Sequence, residues 1–175
     1  RQAHPPNVDK YIHKKINKKE NKLALCSAIA ATASKKLVES RGHKVDKIES
    51  FTIIVSDDIE SISKAKEMKE VIEALHLSED VDRLRNRKAR TGKSALRGRP
   101  TKIGKSILFV AKDAKKLTKA VGGFPGVTAR SAKDLSVLDL APGADPIRLT
   151  IYSKSAIDEI AKIKSTHLEL MVKVK

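Results

Sequence analysis

The chain has no tryptophan, a single cysteine and, between Asp82 and Asp113, no acidic residue. Cys26 alone can form neither an intramolecular disulfide nor a cysteine-based metal site. Aromatic residues make up only 3 % of the 175 residues, which argues against recognition by stacking unpaired bases on ring platforms. No apolar run approaches membrane-spanning length. The sequence opens Arg1-Gln-Ala-His-Pro-Pro6, with neither a signal peptide nor an initiator Met. It is therefore expected to be an internal segment of a longer product, soluble and in a reducing, cytoplasmic compartment.

What is abundant is positive charge. Lys plus Arg number 37 against 21 Asp plus Glu, giving a net charge of +16 and a pI near 10.0. The acid-free stretch holds Arg83, Arg85, Arg87, Lys88, Arg90, Lys93, Arg97, Arg99, Lys102 and Lys105, and then Lys112. A packed core cannot absorb that many cations without carboxylates, so an external polyanion is implied, nucleic acid first. The alternative, a merely solvated loop, gives no reason for so many cations with glycine and proline interleaved. Few aromatics point to phosphates and to the shape of folded RNA. A second cluster comprises Lys10, His13, Lys14, Lys15, Lys18, Lys19 and Lys22. It lies at a helix entry, where the free N–H groups also favour phosphate, although a solvated helical face is the competing reading.

Two tripeptides, Gly92-Lys-Ser94 and Gly104-Lys-Ser106, resemble the end of a phosphate-binding loop. Gly98 and Gly104 enclose five residues where that loop needs four, and Gly104-Lys-Ser106 precedes a strand instead of following one. Nucleotide binding there is not expected, and no cofactor is. The histidines (His4, His13, His43, His76, His167) show no metal-ligand spacing. His76 reads as a helix C-terminal cap. Asp57-Asp58 follows the first strand, where α/β enzymes place site residues, but no base, nucleophile or metal set accompanies it.

Periodicity predicts a long helix from an Asn17–Glu20 capping box to Val38, ended by Gly42. Phe51–Ser56 reads as a strand buried on both faces. Ser61 or Ser63 caps the next helix, and Ser78 a shorter one whose last turn holds Arg85, Arg87 and Lys88. An irregular basic loop follows. Strands are expected at 107–111, 127–130 and 147–152, and helices after Asp113, Ser131 and Ser155. Strand alternating with helix implies an α/β fold with a mostly parallel central sheet, helices on both faces and a long basic loop. The end, from Leu168, alternates apolar and polar residues and is left open between strand and helix.

Several motifs are similar to the universal large-subunit ribosomal protein "L-four" family in its archaeal and eukaryotic form. They are Arg1-Gln-Ala-His-Pro-Pro6, Lys14-Lys-Ile-Asn-Lys-Lys-Glu20, Ser27–Ala33, Arg41-Gly-His-Lys44, Arg87-Lys-Ala-Arg-Thr-Gly-Lys93, Leu96-Arg-Gly-Arg99, Gly104–Ser106, Leu140-Ala-Pro-Gly143 and Arg148–Ile157. The resemblance covers residues 1–163, and the tail beyond about residue 164 matches no motif of the family. It implies an α/β domain docked on large-subunit ribosomal RNA beside other ribosomal proteins. It also implies a long loop reaching the peptide exit tunnel, of which this chain keeps the returning end. Arg1, Gln2 and His4 match that end. Arg87, Lys88, Arg90, Lys93, Arg97, Arg99 and Lys105 match the family's basic region. The expected organisation is a loop end (1–16), one RNA-binding domain (17–164) and a tail (165–175). Two other classes compete: a regulator binding messenger RNA outside the ribosome, and a nucleotide-dependent α/β enzyme using Asp57-Asp58.

Overall fold

The computed structural model describes residues 2–9, 11, 14–48, 51–145 and 147–162. Arg1, Lys10, His13 and the tail after Lys162 lie outside the described residues. Among those described, four parallel strands form the central sheet: β1 (Ile53–Val55), β4 (Leu108–Ala111), β5 (Thr128–Ser131) and β6 (Thr150–Ser153), in the order β1-β6-β4-β5. Between β1 and β4 in sequence lie β2 (Lys88–Ala89) and β3 (Thr101–Lys102), which pair separately. Leu108 lies opposite both Thr150 and Thr128, and Ile53 opposite Ile151. The two central strands are buried at every position, as their unbroken apolar or small residues require.

The order of connection places the helices. β1 to β4 and β4 to β5 advance in one direction across the sheet, whereas β5 to β6 returns. Right-handed crossovers then put the intervening helices on opposite faces. One face carries α3 (Ala65–Ala74) packed on α6 (Lys115–Val121). The other carries α1 (Lys18–Ala31) on α7 (Val137–Leu140), and α8 (Lys154–Ala161) on the 3-10 turn Ala132–Asp134. The expected α/β architecture with helices on both faces is what the chain adopts.

Local expectations changed in several places. The predicted long helix is two, α1 and α2 (Lys35–Ser40), because Thr32 turns its hydroxyl onto the Ile29 carbonyl and lies 3.0 Å from the Tyr152 hydroxyl. Asn17 stands at the start of α1 without a side-chain capping bond. Strand β1 is an edge with Ile54 half-exposed, not a strand buried on both faces. The helix expected to be capped by Ser61 or Ser63 begins after Lys64, and Ser61 instead closes the 3-10 turn Asp57–Ser61. In α4 (Ser78–Asp82) the residue before the helix is Leu77, and Arg85, Arg87 and Lys88 fall beyond its end. Ser153, not Ser155, caps α8 by accepting the Ala156 N–H, and a capping box forms at Ser136 and Asp139 in place of Ser131 and Asp134.

His76 terminates α3 as expected, through backbone geometry. Its φ is +57°, its N–H reaches the Glu73 carbonyl, and the Leu77 N–H reaches Ile72 at 3.0 Å. This is the paired 6→1 and 5→2 bonding that closes a helix with a left-handed residue. Leu77 then enters the core fully buried.

Candidate nucleic-acid interface

The basic stretch is not irregular. Lys88 pairs with Lys102 and Ala89 with Thr101 in an antiparallel ribbon, extended by the Arg90 N–H on the Pro100 carbonyl at 2.7 Å. At its tip α5 (Lys93–Leu96) forms one helical turn between Gly92 (φ +68°) and Gly98 (φ +74°). The glycines sit where the chain reverses, and Pro100 contributes only its carbonyl, so neither interrupts the ribbon. Arg85, Arg87, Lys88, Lys93, Arg97, Arg99, Lys102 and Lys105 are exposed; Arg83 and Arg90 are partly buried. Leu96 projects at the tip, 87 % exposed. The register sets two like charges, Lys88 and Lys102, directly opposite each other, an arrangement that weakens a ribbon already marginal by its size.

Basic clefts flank the stem on both sides. One, of about 520 Å³, gathers Arg41, Arg83, Lys88, Lys102 and Lys105 with Asp145 as the one acid among its lining residues. The other, of about 500 Å³, sets Arg85, Arg87 and Lys105 beside Phe124 and Pro125. Arg41 was absent from the sequence-predicted site; its signal was the motif Arg41-Gly-His-Lys44, whose Arg folds back 101 residues away to donate to the Pro142 carbonyl at 2.8 Å. Burial lowers its pKa, Asp145 opposes that shift, and the neighbouring Arg83 adds to it. Crowded guanidinium groups of this kind are relieved by a bound anion.

The stem is anchored by a buried polar network. Asp80 is fully buried, and its carboxylate accepts from His43 Nδ1 at 3.0 Å, the Lys44 N–H at 3.2 Å, Arg83 Nε at 3.2 Å and Ser106 Oγ. Burial alone would raise the Asp80 pKa, but the bond and the charge of His43, the bond from Ser106 and the charge of Arg83 outweigh it and hold the group at about 2. His43 Nε2 accepts the Leu149 N–H at 3.4 Å. Beside it, Arg148 is 1 % exposed and donates to the carbonyls of Ser106, Ile107 and Gly126. Burial pushes its pKa down to about 10, with Asp139 opposing. Gly126 (φ +73°) completes the anchor, since a Cβ there would lie 2.5 Å from Leu84 and 2.6 Å from the Gly104 carbonyl. Sequence reading joined neither His43 nor Asp80 to a distant partner, because the two meet only through the fold.

The lysine cluster is presented differently. Lys14 and Lys15 are exposed ahead of α1, and Lys18, Lys19 and Lys22 are exposed on its first turns. The first buried residue of α1 is Ala28, so the basic part of the helix extends past the packed body. Gln2 and His4 are exposed in the preceding segment. No hydrogen bond or ion pair among the described residues ties these side chains to the ribbon.

The ribbon leaves the sheet at the amino end of β4. The opposite, carboxyl end is where α/β proteins ordinarily bind ligands, and here it is filled. The Glu60 carboxylate accepts from Ser155 Oγ at 2.7 Å, Ser153 Oγ at 2.8 Å and the Lys112 N–H at 2.8 Å. Its burial favours the neutral form, yet these donors hold its pKa below the usual range. Asp57 accepts the Ser155 N–H at 2.8 Å and Asp58 the Ser56 hydroxyl at 3.0 Å. The aspartate pair is thus engaged in structural hydrogen bonds, Asp57 to the start of α8 and Asp58 to its own turn. Among the described residues no group of three His, Cys, Asp or Glu could hold a metal ion, and no helix is long and apolar enough to cross a membrane.

A profile described as "Ribosomal protein L4/L1 family" matches residues 1–163. Proteins named "Large ribosomal subunit protein uL4" are similar over nearly all of the chain. That of Methanococcus aeolicus is 47 % identical over 163 residues, covering 93 % of this chain and 65 % of its own length. That of Sulfurisphaera tokodaii is 48 % identical over 164 residues, covering 93 % and 61 %. That of Pyrobaculum aerophilum is 47 % identical over 162 residues, covering 91 % and 57 %. The chain spans less than two thirds of the length of these relatives. On the extent of these matches, the chain belongs to the Ribosomal protein L4/L1 family.

Proposed function

We propose that the chain is a structural, RNA-binding constituent of the large ribosomal subunit in the cytoplasm, without enzymatic activity, cofactor or small-molecule substrate. The observation that carries this reading is the exposed ribbon of cations held on a buried polar anchor. A rigid base with an excess of positive charge on both sides of the stem suits closely spaced phosphates of folded RNA. Arg41, Arg83, Lys88, Lys102 and Lys105 form one phosphate-facing cleft, and Arg85 and Arg87 the other. Arg90, Lys93, Arg97 and Arg99 extend the contact along the ribbon and its tip. Lys14, Lys15, Lys18, Lys19 and Lys22 make a second contact through the start of α1. Residues 1–16, with Arg1, Gln2 and His4, are the returning end of an extended loop directed towards the peptide exit tunnel. Residues 17–164 form the RNA-binding domain, and neighbouring large-subunit proteins are its further partners. The name carried by the relatives supports the same assignment.

The enzyme reading is disfavoured by the carboxyl-end crevice, whose donors are already taken by Glu60 and Asp57. Sedimentation of cell extracts tests the proposal: the chain should travel with large subunits and remain there through moderate salt. A chain found only in free fractions, while subunits migrate normally, would remove the reading.

A further inference from the structure

Residues 46–82 carry eleven acidic residues and four basic ones in a chain whose net charge is +16. This acidic stretch frames an open groove of about 660 Å³ between the 3-10 turn Asp57–Ser61 and α3. Ile59, Ile62 and Val71 line it, with Asp58, Glu67 and Glu70 also on its wall. Ile54 of the adjacent edge strand is 51 % exposed. Glu67 is paired only with the exposed Lys64, at 3.6 Å, and Glu70 has no partner among the described residues. Such exposed pairs contribute little and are readily exchanged.

We propose that this groove receives a basic segment of another protein, seating one aliphatic side chain against Ile59, Ile62 and Val71 while flanking Lys or Arg groups meet Glu67 and Glu70. The chemistry selects this occupant. Nucleic acid would bring phosphates against carboxylates. A wholly apolar surface would strip water from Glu67 and Glu70 without replacing it. A cationic, partly aliphatic segment satisfies both the apolar lining and the charge, and long basic side chains can also lay their methylene stems along the apolar surface. The groove starts at the carboxyl edge of the sheet, opposite the amino edge from which the basic ribbon leaves, so both partners can be engaged together. The inference does not depend on the RNA-binding proposal.

The test places the photo-crosslinking residue p-benzoylphenylalanine at the exposed, groove-lining Ala74 of the full-length chain and irradiates whole cells. The expected product joins Ala74's position to a Lys/Arg-rich peptide of another protein. Its yield should fall about tenfold or more in a Glu67→Lys, Glu70→Lys background. Thermal melting of that double variant should match the parent, showing an intact fold. An adduct on RNA, an adduct confined to the same chain, no adduct, or a yield indifferent to charge reversal each overturns the proposal. Sedimentation with large subunits is read separately, so loss of RNA binding and loss of this contact remain distinguishable.

Discussion

Residues 46–82 and 83–112 are adjacent in sequence and opposite in how they handle charge. The first has eleven acids and four bases; the second has eleven bases and no acid. In the first, many carboxylates are answered from within the chain. Asp80 takes donors from His43, Lys44, Arg83 and Ser106, and Glu60 takes them from Ser153, Ser155 and Lys112. Glu79 meets Lys47 at 2.6 Å. In the second, Arg83 and Arg85 reach Asp80 and Asp82. Arg87, Lys88, Lys93, Arg97, Arg99, Lys102 and Lys105 form no ion pair among the described residues. The contrast teaches that function is marked less by the number of charges than by whether the fold answers them.

The sharpest way to break this comparison is to neutralise the unanswered charges. Replacing Arg87, Lys88, Lys102 and Lys105 together by Gln should weaken binding to a large-subunit RNA fragment by about a hundredfold or more near physiological salt. The slope of log affinity against log salt should flatten by about 3. Glu67→Gln with Glu70→Gln should change neither quantity. Filter binding across a salt series measures both, and an unchanged slope in the fourfold variant would show that these cations do not face phosphate.

The anchor offers a second way. Asp80→Ala leaves His43, Ser106, Arg83 and the Lys44 N–H without their shared acceptor, and should cost about 3–5 kcal/mol of stability. Chemical denaturation reads it directly. The pH dependence has a definite sign. Asp80 ionises at about 2 in the fold against an ordinary 3.8, so its contribution of about 2 kcal/mol is present above the higher value. It is lost as pH falls from about 4 towards 2. In the Asp80→Ala variant that part of the acid-induced loss should disappear. Gly126→Ala should cost about 3 kcal/mol, combining a left-handed backbone with overlap onto Leu84 and the Gly104 carbonyl. A melting temperature within a degree of the parent would show that the base of the ribbon repacks freely.

The sequence disclosed the sheet more readily than the site. Ile107–Ala111 is an unbroken apolar run, Ile147–Tyr152 sets Ile, Leu and Ile at alternate positions, and both contribute the central strands. The cations were equally visible, since charge is a property of composition. The ribbon was not, because its two strands contribute only two residues each and their pairing depends on a tip that reverses at Gly92 and Gly98. The anchor was hidden for another reason. His43 and Asp80 are 37 residues apart, and nothing in a local window shows that Leu149 and Ser106 will complete their hydrogen bonds. Arg148 lies within the expected fourth strand, and no local window shows that its donors go to three carbonyls.

The smallest effect tests the comparison from the other direction, by giving the basic region an internal answer. Lys102 lies opposite Lys88 in the ribbon. Lys102→Glu converts a repulsive cross-strand pair into an attractive one and should stabilise the isolated ribbon by about 0.5–1 kcal/mol. Slower amide exchange at Arg90, whose N–H closes the ribbon on Pro100, would report this in the free protein. RNA affinity should move the opposite way, because the substitution removes one cation and adds a carboxylate in the cleft shared with Arg41, Arg83 and Lys105. A ribbon more protected in isolation yet weaker on RNA would establish that its like-charge register serves the partner and not the fold. Equal gains in protection and RNA affinity would instead place Lys102 outside the contact and assign the stem a purely structural part.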